Sequence, residues 1–299
     1  MRSIVRALLF ILALLPDVRA AGLALVLSDS KGPYAEFSGA LHETLDGSPW
    51  KIIASGGSEA LDSSVRPDLI VAVGGEAFRR ILARGGNTPV LAALVPRPTY
   101  EKILADSAPS RPRTSAIFLE QPAARQAAFI RQLLPGLSRI GILHRRDSTQ
   151  ALAPHVQAMS AAGLVVETEE TQNDNDLLPA LNTLLPKVNA LLALPDPNIY
   201  KRDNIKAILV TTYRHQKPLI AFSPTLVNAG ALAALYTTPA QAARQTGDLI
   251  LTYGTALPTP REPSLFAIAI NQNVAQALNL SPPDEATLRR SLLRSTEAR

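Results

Sequence analysis

A chain of 299 residues without a single cysteine cannot carry disulfides, thiolate metal sites, a cysteine nucleophile or a lipid-modified N-terminal cysteine. Its apolar share of 46% is enough to fill real cores, and its length suits two domains better than one. The net charge of +5 falls to +3 without Arg2, Arg6, Arg19 and Asp17, and no Lys/Arg run exceeds two residues, which argues against nucleic acid as a partner.

The chain opens with a basic start at Arg2 and Arg6, an unbroken apolar run from Ala7 to Leu15, and Pro16. Val18-Arg19-Ala20 offers small residues where a signal peptidase reads, so the expected cut follows Ala20. The apolar run is about half of the ~20 residues that span a bilayer, so no direct membrane insertion is expected after cleavage.

Beyond that segment, short continuous apolar runs alternate with helical patterns, as in strands buried on both faces of a parallel sheet. Strands are expected at Leu23–Leu27, Lys51–Ala54, Leu69–Val73, Val90–Leu94 and Ser115–Leu119. More follow at Ile140–His144, Val165–Thr168, Ala190–Leu194, Leu219–Phe222, Leu232–Tyr236 and Leu265–Ile270. Between them, Glu76–Arg84 sets Ala77, Phe78, Ile81 and Leu82 on one face, with Gly85 as C-cap. Ala123–Leu134 repeats apolar residues and stops at Pro135-Gly136. Thr238-Pro239-Ala240-Gln241 is a capping box that opens a helix through Leu251. The chain thus divides into two α/β half-chains near Glu120, with a cleft expected between them beyond the carboxyl ends of the strands.

The polar residues at those strand ends are the candidate site. Ser28 and Asp29 follow the first strand, with Tyr34 a turn later; Gly75 and Glu76 follow the third, and Arg97 the fourth. In the second half, Asp147 follows His144, Asp196 and Asn198 follow the Ala190 strand, and Ser223 follows the Leu219 strand. Each residue type is also an ordinary turn or N-cap residue, so the argument rests on their convergence. Gly74-Gly75 allows close backbone approach at a helix N-terminus, where anions are favoured. Glu76 already brings a carboxylate there: either it points away and stabilises the helix, or the site prefers a neutral or cationic group.

Catalytic patterns are missing. His42, His144, His155 and His215 have no paired metal spacing, and neither a GxSxG elbow, a phosphate loop nor a dinucleotide fingerprint is present. The acidic run Glu167–Glu170 with Asp174 and Asp176 reads as a solvated strand end and helix start. No enzyme activity, metal or cofactor is expected. An exported α/β protein without catalytic residues is expected to capture something outside the inner membrane.

Four segments together resemble a known family. They are Arg66-Pro67-Asp68-Leu69-Ile70-Val71-Ala72-Val73-Gly74, Leu133 to Leu143, Asn228-Ala229-Gly230-Ala231-Leu232-Ala233-Ala234-Leu235, and Gln241-Ala242-Ala243-Arg244-Gln245-Thr246-Gly247. Their order and spacing are similar to those of ABC-transporter substrate-binding proteins of the type I periplasmic fold, in the branch related to aromatic amino-acid binders. The resemblance implies an α/β fold of two doubly wound Rossmann-like lobes joined by a three-crossing hinge. It implies a first lobe of 21–119 and 232–260 and a second of 120–231 and 261–299. It also implies a small-molecule ligand, an inner-membrane ABC permease as partner and a periplasmic location; nothing in the sequence demands more than a monomer.

By the same resemblance, Gly75 and Glu76 fall where relatives have Gly-Thr, Asp196 and Asn198 in a "PtDN"-like loop, and Ser223 at the serine of an "SDe" segment. This chain departs from relatives at Pro224, where they have an acid, and at Val95-Pro96-Arg97, where they have Thr-Asp. The acids that would hold an α-ammonium are missing there, which leaves Glu76 or Asp196 to substitute. The expectation is a ligand other than a standard α-amino acid held in the family's usual way. A sensory or adaptor role for a membrane receptor is the alternative.

Overall fold

The computed structural model describes residues 20–62 and 64–297; the expected signal segment lies outside the described residues except for Ala20. Two sheets form two lobes. The first has the order β2-β1-β3-β4-β5, from Ala21–Leu27 (β1), Trp50–Gly56 (β2), Leu69–Val73 (β3), Val90–Val95 (β4) and Thr114–Phe118 (β5), all parallel. The second has the order β11-β10-β9-β8-β6-β7, from Arg139–His144 (β6), Val165–Glu170 (β7), Ala190–Leu192 (β8), Leu219–Ala221 (β9), Ala233–Tyr236 (β10) and Ala267–Ile270 (β11). Only β11 runs antiparallel there, against β10.

Both sheets therefore follow the same winding. In each, the chain begins in the middle, moves to one edge, then reverses past its starting strand, the arrangement of doubly wound sheets with a topological switch point. The switch lies between β1 and β3 in the first lobe and between β6 and β8 in the second. Helices cover both faces of each sheet, so the inner strands are apolar: every residue of β3 is buried, as are the five central residues of β1, while the edge strands β2 and β7 carry exposed and polar positions. Each lobe has an apolar cluster on either side of its sheet.

The helices that matter for the cleft and hinge are few. Helix α1 (Pro33–Leu45) follows β1, α2 (Gly75–Arg84) follows β3, and α3 (Arg97–Asp106) follows β4. Helix α4 (Ala123–Leu133) opens the second lobe, and α5 (Thr149–Ala161) follows β6 after a short turn at Arg146–Ser148. Next come α6 (Leu177–Leu184), α7 (Arg202–Arg214) and α8 (Pro224–Ala229). Helix α9 (Pro239–Tyr253) is opened by the expected capping box, with Thr238 and Gln241 each bonded to the other's backbone N–H at 3.0 Å.

One placement differs from expectation. The family resemblance implies the first lobe for Leu232–Tyr236, but β10 lies in the second sheet, parallel to β9. Ala233, Ala234 and Leu235 are buried, and the second sheet offers β10 partners on both edges, β9 and β11. The chain returns to the first lobe after β10, where α9 packs on α1. It stays there to Arg261, which bonds to Ala116 and Phe118 at the edge of β5, and then enters the second sheet as β11.

Candidate functional site

The chain passes between lobes three times, after β5, after β10 and after Arg261. Buried polar side chains knit these crossings together. Gln121 Nε2 donates to Thr237 Oγ1 at 2.6 Å, and Thr237 Oγ1 donates to the Leu265 carbonyl at 2.9 Å, so one chain of bonds joins all three. Gln245 Oε1 accepts from Ser264 N (2.6 Å), Ser264 Oγ (2.9 Å) and Leu265 N (3.3 Å), fixing the last crossing to α9. Ser264 and Leu265 are thereby held in the hinge, which is why β11 starts at Ala267 rather than at Leu265.

Glu120 lies on the first crossing. Both its carboxylate oxygens accept from the Arg97 N–H, at 2.9 and 3.0 Å, capping α3 from another segment where Pro96 offers no side-chain cap. Burial pushes its carboxyl up to about 7, with the Arg97 N–H opposing. His155 on α5 is buried, and its Nδ1 has no partner among the described residues. Burial brings it down to about 4, and the Arg97 cation acts in the same direction.

A cleft of about 300 Å³ lies between the lobes. One wall is α3, through Pro98, Thr99, Glu101, Lys102 and Ala105; the other is Ser148 with Pro195, Asp196, Pro197 and Asn198. Helix α3 is pinned from behind: the Tyr100 ring stacks on Phe78 at 4.9 Å and meets Phe118 edge-on at 5.5 Å, and its hydroxyl donates to Thr114 Oγ1 at 2.9 Å.

The second wall is built at that lobe's switch point. Asp196 Oδ1 accepts from Asn198 N (2.8 Å) and Ile199 N (3.3 Å), a turn its own side chain closes. Its Oδ2 faces Ser148 Oγ at 3.3 Å, linking the loop after β8 to the loop after β6. The Tyr200 hydroxyl, in the same turn, is buried without a partner among the described residues. Burial raises that phenol well above its ordinary value, and the Asp196 charge adds to the shift.

The first lobe's switch point is bridged in a related way. Ser28 Oγ, just after β1, accepts from the Ala77 N–H at the start of α2 at 2.9 Å. Gly74, at φ +91°, makes room for this: a Cβ there would lie 2.5 Å from Ser28 Oγ and 2.8 Å from Tyr34 Cε1. A Cβ on Gly75 would stand 3.0 Å from Thr99 Cγ2, so the start of α2 abuts the cleft wall.

Of the residues expected at the site, Asp196 and Asn198 line the cleft, and Gly75 touches its wall. Ser28 and Tyr34 lie one layer behind, around Gly74. Asp29 closes a local turn by accepting from Lys31 N at 3.1 Å. Glu76 turns along its own exposed helix face to Arg79 (2.6 Å) and Arg80 (2.8 Å), away from the helix end. Ser223 caps α8 by accepting from Leu226 N at 3.4 Å, with Pro224 at the first helical position. Asp147 lies in the Arg146–Ser148 turn, and its side chain is outside the described residues. Sequence reasoning missed Thr99, Glu101, Lys102 and Ser148. The signal for α3 was present in Pro98 within a first turn and in Tyr100 and Ile103 three apart.

Among the described residues, no group of three His, Cys, Asp or Glu side chains could hold a metal, and no helix is long and apolar enough to cross a membrane.

A family model described as "ABC transporter substrate binding protein" matches residues 62–285. No curated protein matches the chain. Among solved structures, it is similar to an ABC domain in complex with L-Trp from Streptococcus pneumonia, at 20% identity and TM-score 0.65, covering 91% of this chain and 98% of that one. A conserved domain protein from Vibrio cholerae aligns at 16% identity and TM-score 0.64, over 91% and 98%. The ligand-free, open structure of a substrate-binding protein with adhesive properties from Clostridium difficile aligns at 16% identity and TM-score 0.63, over 88% and 96%. The fold these share with the chain is the type I periplasmic binding fold.

Proposed function

The chain belongs to the family of ABC transporter substrate-binding proteins, and from that premise we propose that it is exported, captures a small solute between its lobes as a monomer, and delivers it to an inner-membrane ABC permease. The observation that carries this reading is the cleft whose two walls, α3 and the Pro195–Asn198 loop, come from different lobes joined through three bonded crossings. A solute that touches both walls favours the closed arrangement by its extra affinity for it, and a permease then reads the closed form. No covalent step is required.

Thr99, Ser148, Asp196 and Asn198 are the proposed ligand contacts, with Gly75 at the edge. The L-Trp complex among the similar structures raises the amino-acid reading directly. Two features speak against it in this chain. Where the family resemblance implies an acid after Ser223, Pro224 starts a helix, and where it implies Thr-Asp, Arg97 is bonded into the hinge. Glu101 and Asp196 are then the carboxylates on the two cleft walls for a cationic group, and Asp196 Oδ1 is already taken by two backbone N–H groups.

The test is mass spectrometry of whatever co-purifies with the mature protein from the periplasm, followed by calorimetry with the compound found. Tight binding of tryptophan, phenylalanine or a branched-chain amino acid would refute the exclusion of amino acids. One unchanging lobe angle with every bound compound would refute the transport reading.

A further inference from the structure

Arg97 is the first residue of α3, the helix that forms the first-lobe wall of the cleft, yet its own contacts run to the hinge. Its N–H donates to both oxygens of Glu120 on the first crossing. Its Nη2 donates to Glu262 Oε1 at 3.1 Å on the third crossing. Its guanidinium lies 4.1 Å over the ring of Phe118, at the end of β5 where the first crossing begins. The second crossing is tied in through Gln121, the neighbour of Glu120, which donates to Thr237.

We propose that Arg97 is a positioning residue that couples the ligand-facing wall to the hinge and sets the angle between the lobes before any ligand arrives. A guanidinium recognises partners through its planar fork and through its flat face. Here Glu262 engages the fork and Phe118 takes one face. Pro98, Thr99, Glu101, Lys102 and Ala105 follow directly along the same helix and face the cleft. A displacement of that wall by a ligand therefore pulls on Glu262 and moves the third crossing, while Phe118 and Glu120 hold the first. The side chain is 35% exposed, so each contact is modest alone; their effect is to fix a geometry.

Because the natural chain lacks cysteine, Glu43→Cys on α1 and Lys206→Cys on α7 give a unique spin-label pair across the lobes. Interlobe distances are measured by pulsed electron resonance on the full mature protein, stripped of solute by unfolding and refolding. The comparison takes in Arg97→Ala, Arg97→Lys, Glu262→Ala and the surface control Arg79→Ala, whose partner Glu76 lies on its own helix. Every variant keeps the residue-97 N–H that Glu120 accepts. Arg97→Ala and Glu262→Ala are expected to broaden and displace the ligand-free distance distribution. Arg97→Lys keeps the charge but not the planar stack and is expected to fall between, while Arg79→Ala matches wild type. A folded Arg97→Ala with the wild-type distribution overturns the proposal, and a loss of solute affinity alongside it would make Arg97 a ligand contact instead. Should Arg97→Ala fail to fold, Glu262→Ala decides in the same way. No ligand is present in the measurement, so its outcome is independent of whether the cleft serves transport.

Discussion

Ser148 Oγ stands 3.3 Å from Asp196 Oδ2, and this contact joins the loop after β6 to the loop after β8 across the gap where the second sheet reverses its winding. The same hydroxyl also lies 3.0 Å from the Arg145 N–H and carbonyl. Asp196 thus has two tasks on different oxygens: Oδ1 shapes the loop, and Oδ2 meets Ser148 on the cleft wall.

Two substitutions separate those tasks. Asp196→Asn retains an amide oxygen for the Asn198 and Ile199 N–H groups, so its thermal midpoint should stay near wild type. Asp196→Ala strands both N–H groups on a half-buried loop and should cost about 1–3 kcal/mol in chemical denaturation. If the charge holds the ligand, calorimetry with the co-purified compound will show lost affinity in Asp196→Asn despite its normal stability. Unchanged affinity in Asp196→Asn would remove the carboxylate charge from ligand recognition.

In the first lobe, Gly74 and Ser28 make a linked pair. Gly74→Ala places a Cβ against Ser28 Oγ and Tyr34 at a positive φ, so it should cost more than the ~1 kcal/mol expected from losing the cap in Ser28→Ala. The double variant should recover only part of the Gly74→Ala loss. Tyr34 Cε1 still lies 2.8 Å from the new Cβ and the backbone angle stays unfavourable. Full recovery would mean that the Ser28 hydroxyl was the whole obstacle.

The strands were legible because a parallel strand covered on both faces has to be apolar end to end. Leu69-Ile70-Val71-Ala72-Val73 announces itself by that rule alone, and all five residues are buried in β3. The capping box at Thr238 was equally plain, because its two reciprocal bonds depend on residues three apart. The lobe that owns β10 was not legible: Ala233-Ala234-Leu235 fits either sheet, and only the partners β9 and β11 decide it. The cleft was half legible. Asp196 and Asn198 stand in a turn whose composition marks it, whereas Thr99 and Glu101 lie on a helix whose cleft-facing side depends on how Tyr100 packs against Phe78 and Phe118. Arg97 looked like a ligand residue because its hinge partner Glu262 is 165 positions away.

A part-buried carboxyl and a buried imidazole give the stability a masked pH dependence. Glu120 has its folded value raised to about 7 from 4.5, so its contribution is full below the unfolded value and is lost as pH rises through 7. His155 has its folded value lowered to about 4 from 6.5, so its contribution is present above 6.5 and is lost as pH falls through 4. Between about 4.5 and 6.5 the two slopes oppose each other. In urea denaturation from pH 4 to 8, Glu120→Gln should unmask the His155 slope, with stability rising with pH. His155→Gln should unmask the opposite slope, with stability falling toward pH 7. Parallel pH profiles for wild type and both variants would show that neither group carries a shifted value.

The return of the chain to the first lobe rests on a close approach between α9 and α1. A Cβ on Gly247 would lie 2.4 Å from Thr44 Cγ2 and 3.1 Å from Thr44 Cβ. Thr44 cannot easily yield, because its hydroxyl donates to the Ala40 carbonyl at 2.7 Å and holds the rotamer. Alanine normally favours a helix interior over glycine by about 1 kcal/mol. Gly247→Ala should nevertheless destabilise the protein, since overpacking costs about 1–3 kcal/mol. Thr44→Ala removes the nearer methyl, so Gly247→Ala with Thr44→Ala should regain most of the loss and expose the helix gain. A double-mutant cycle in chemical denaturation measures this coupling. Additive effects at the two positions would mean that α9 and α1 do not meet at this contact.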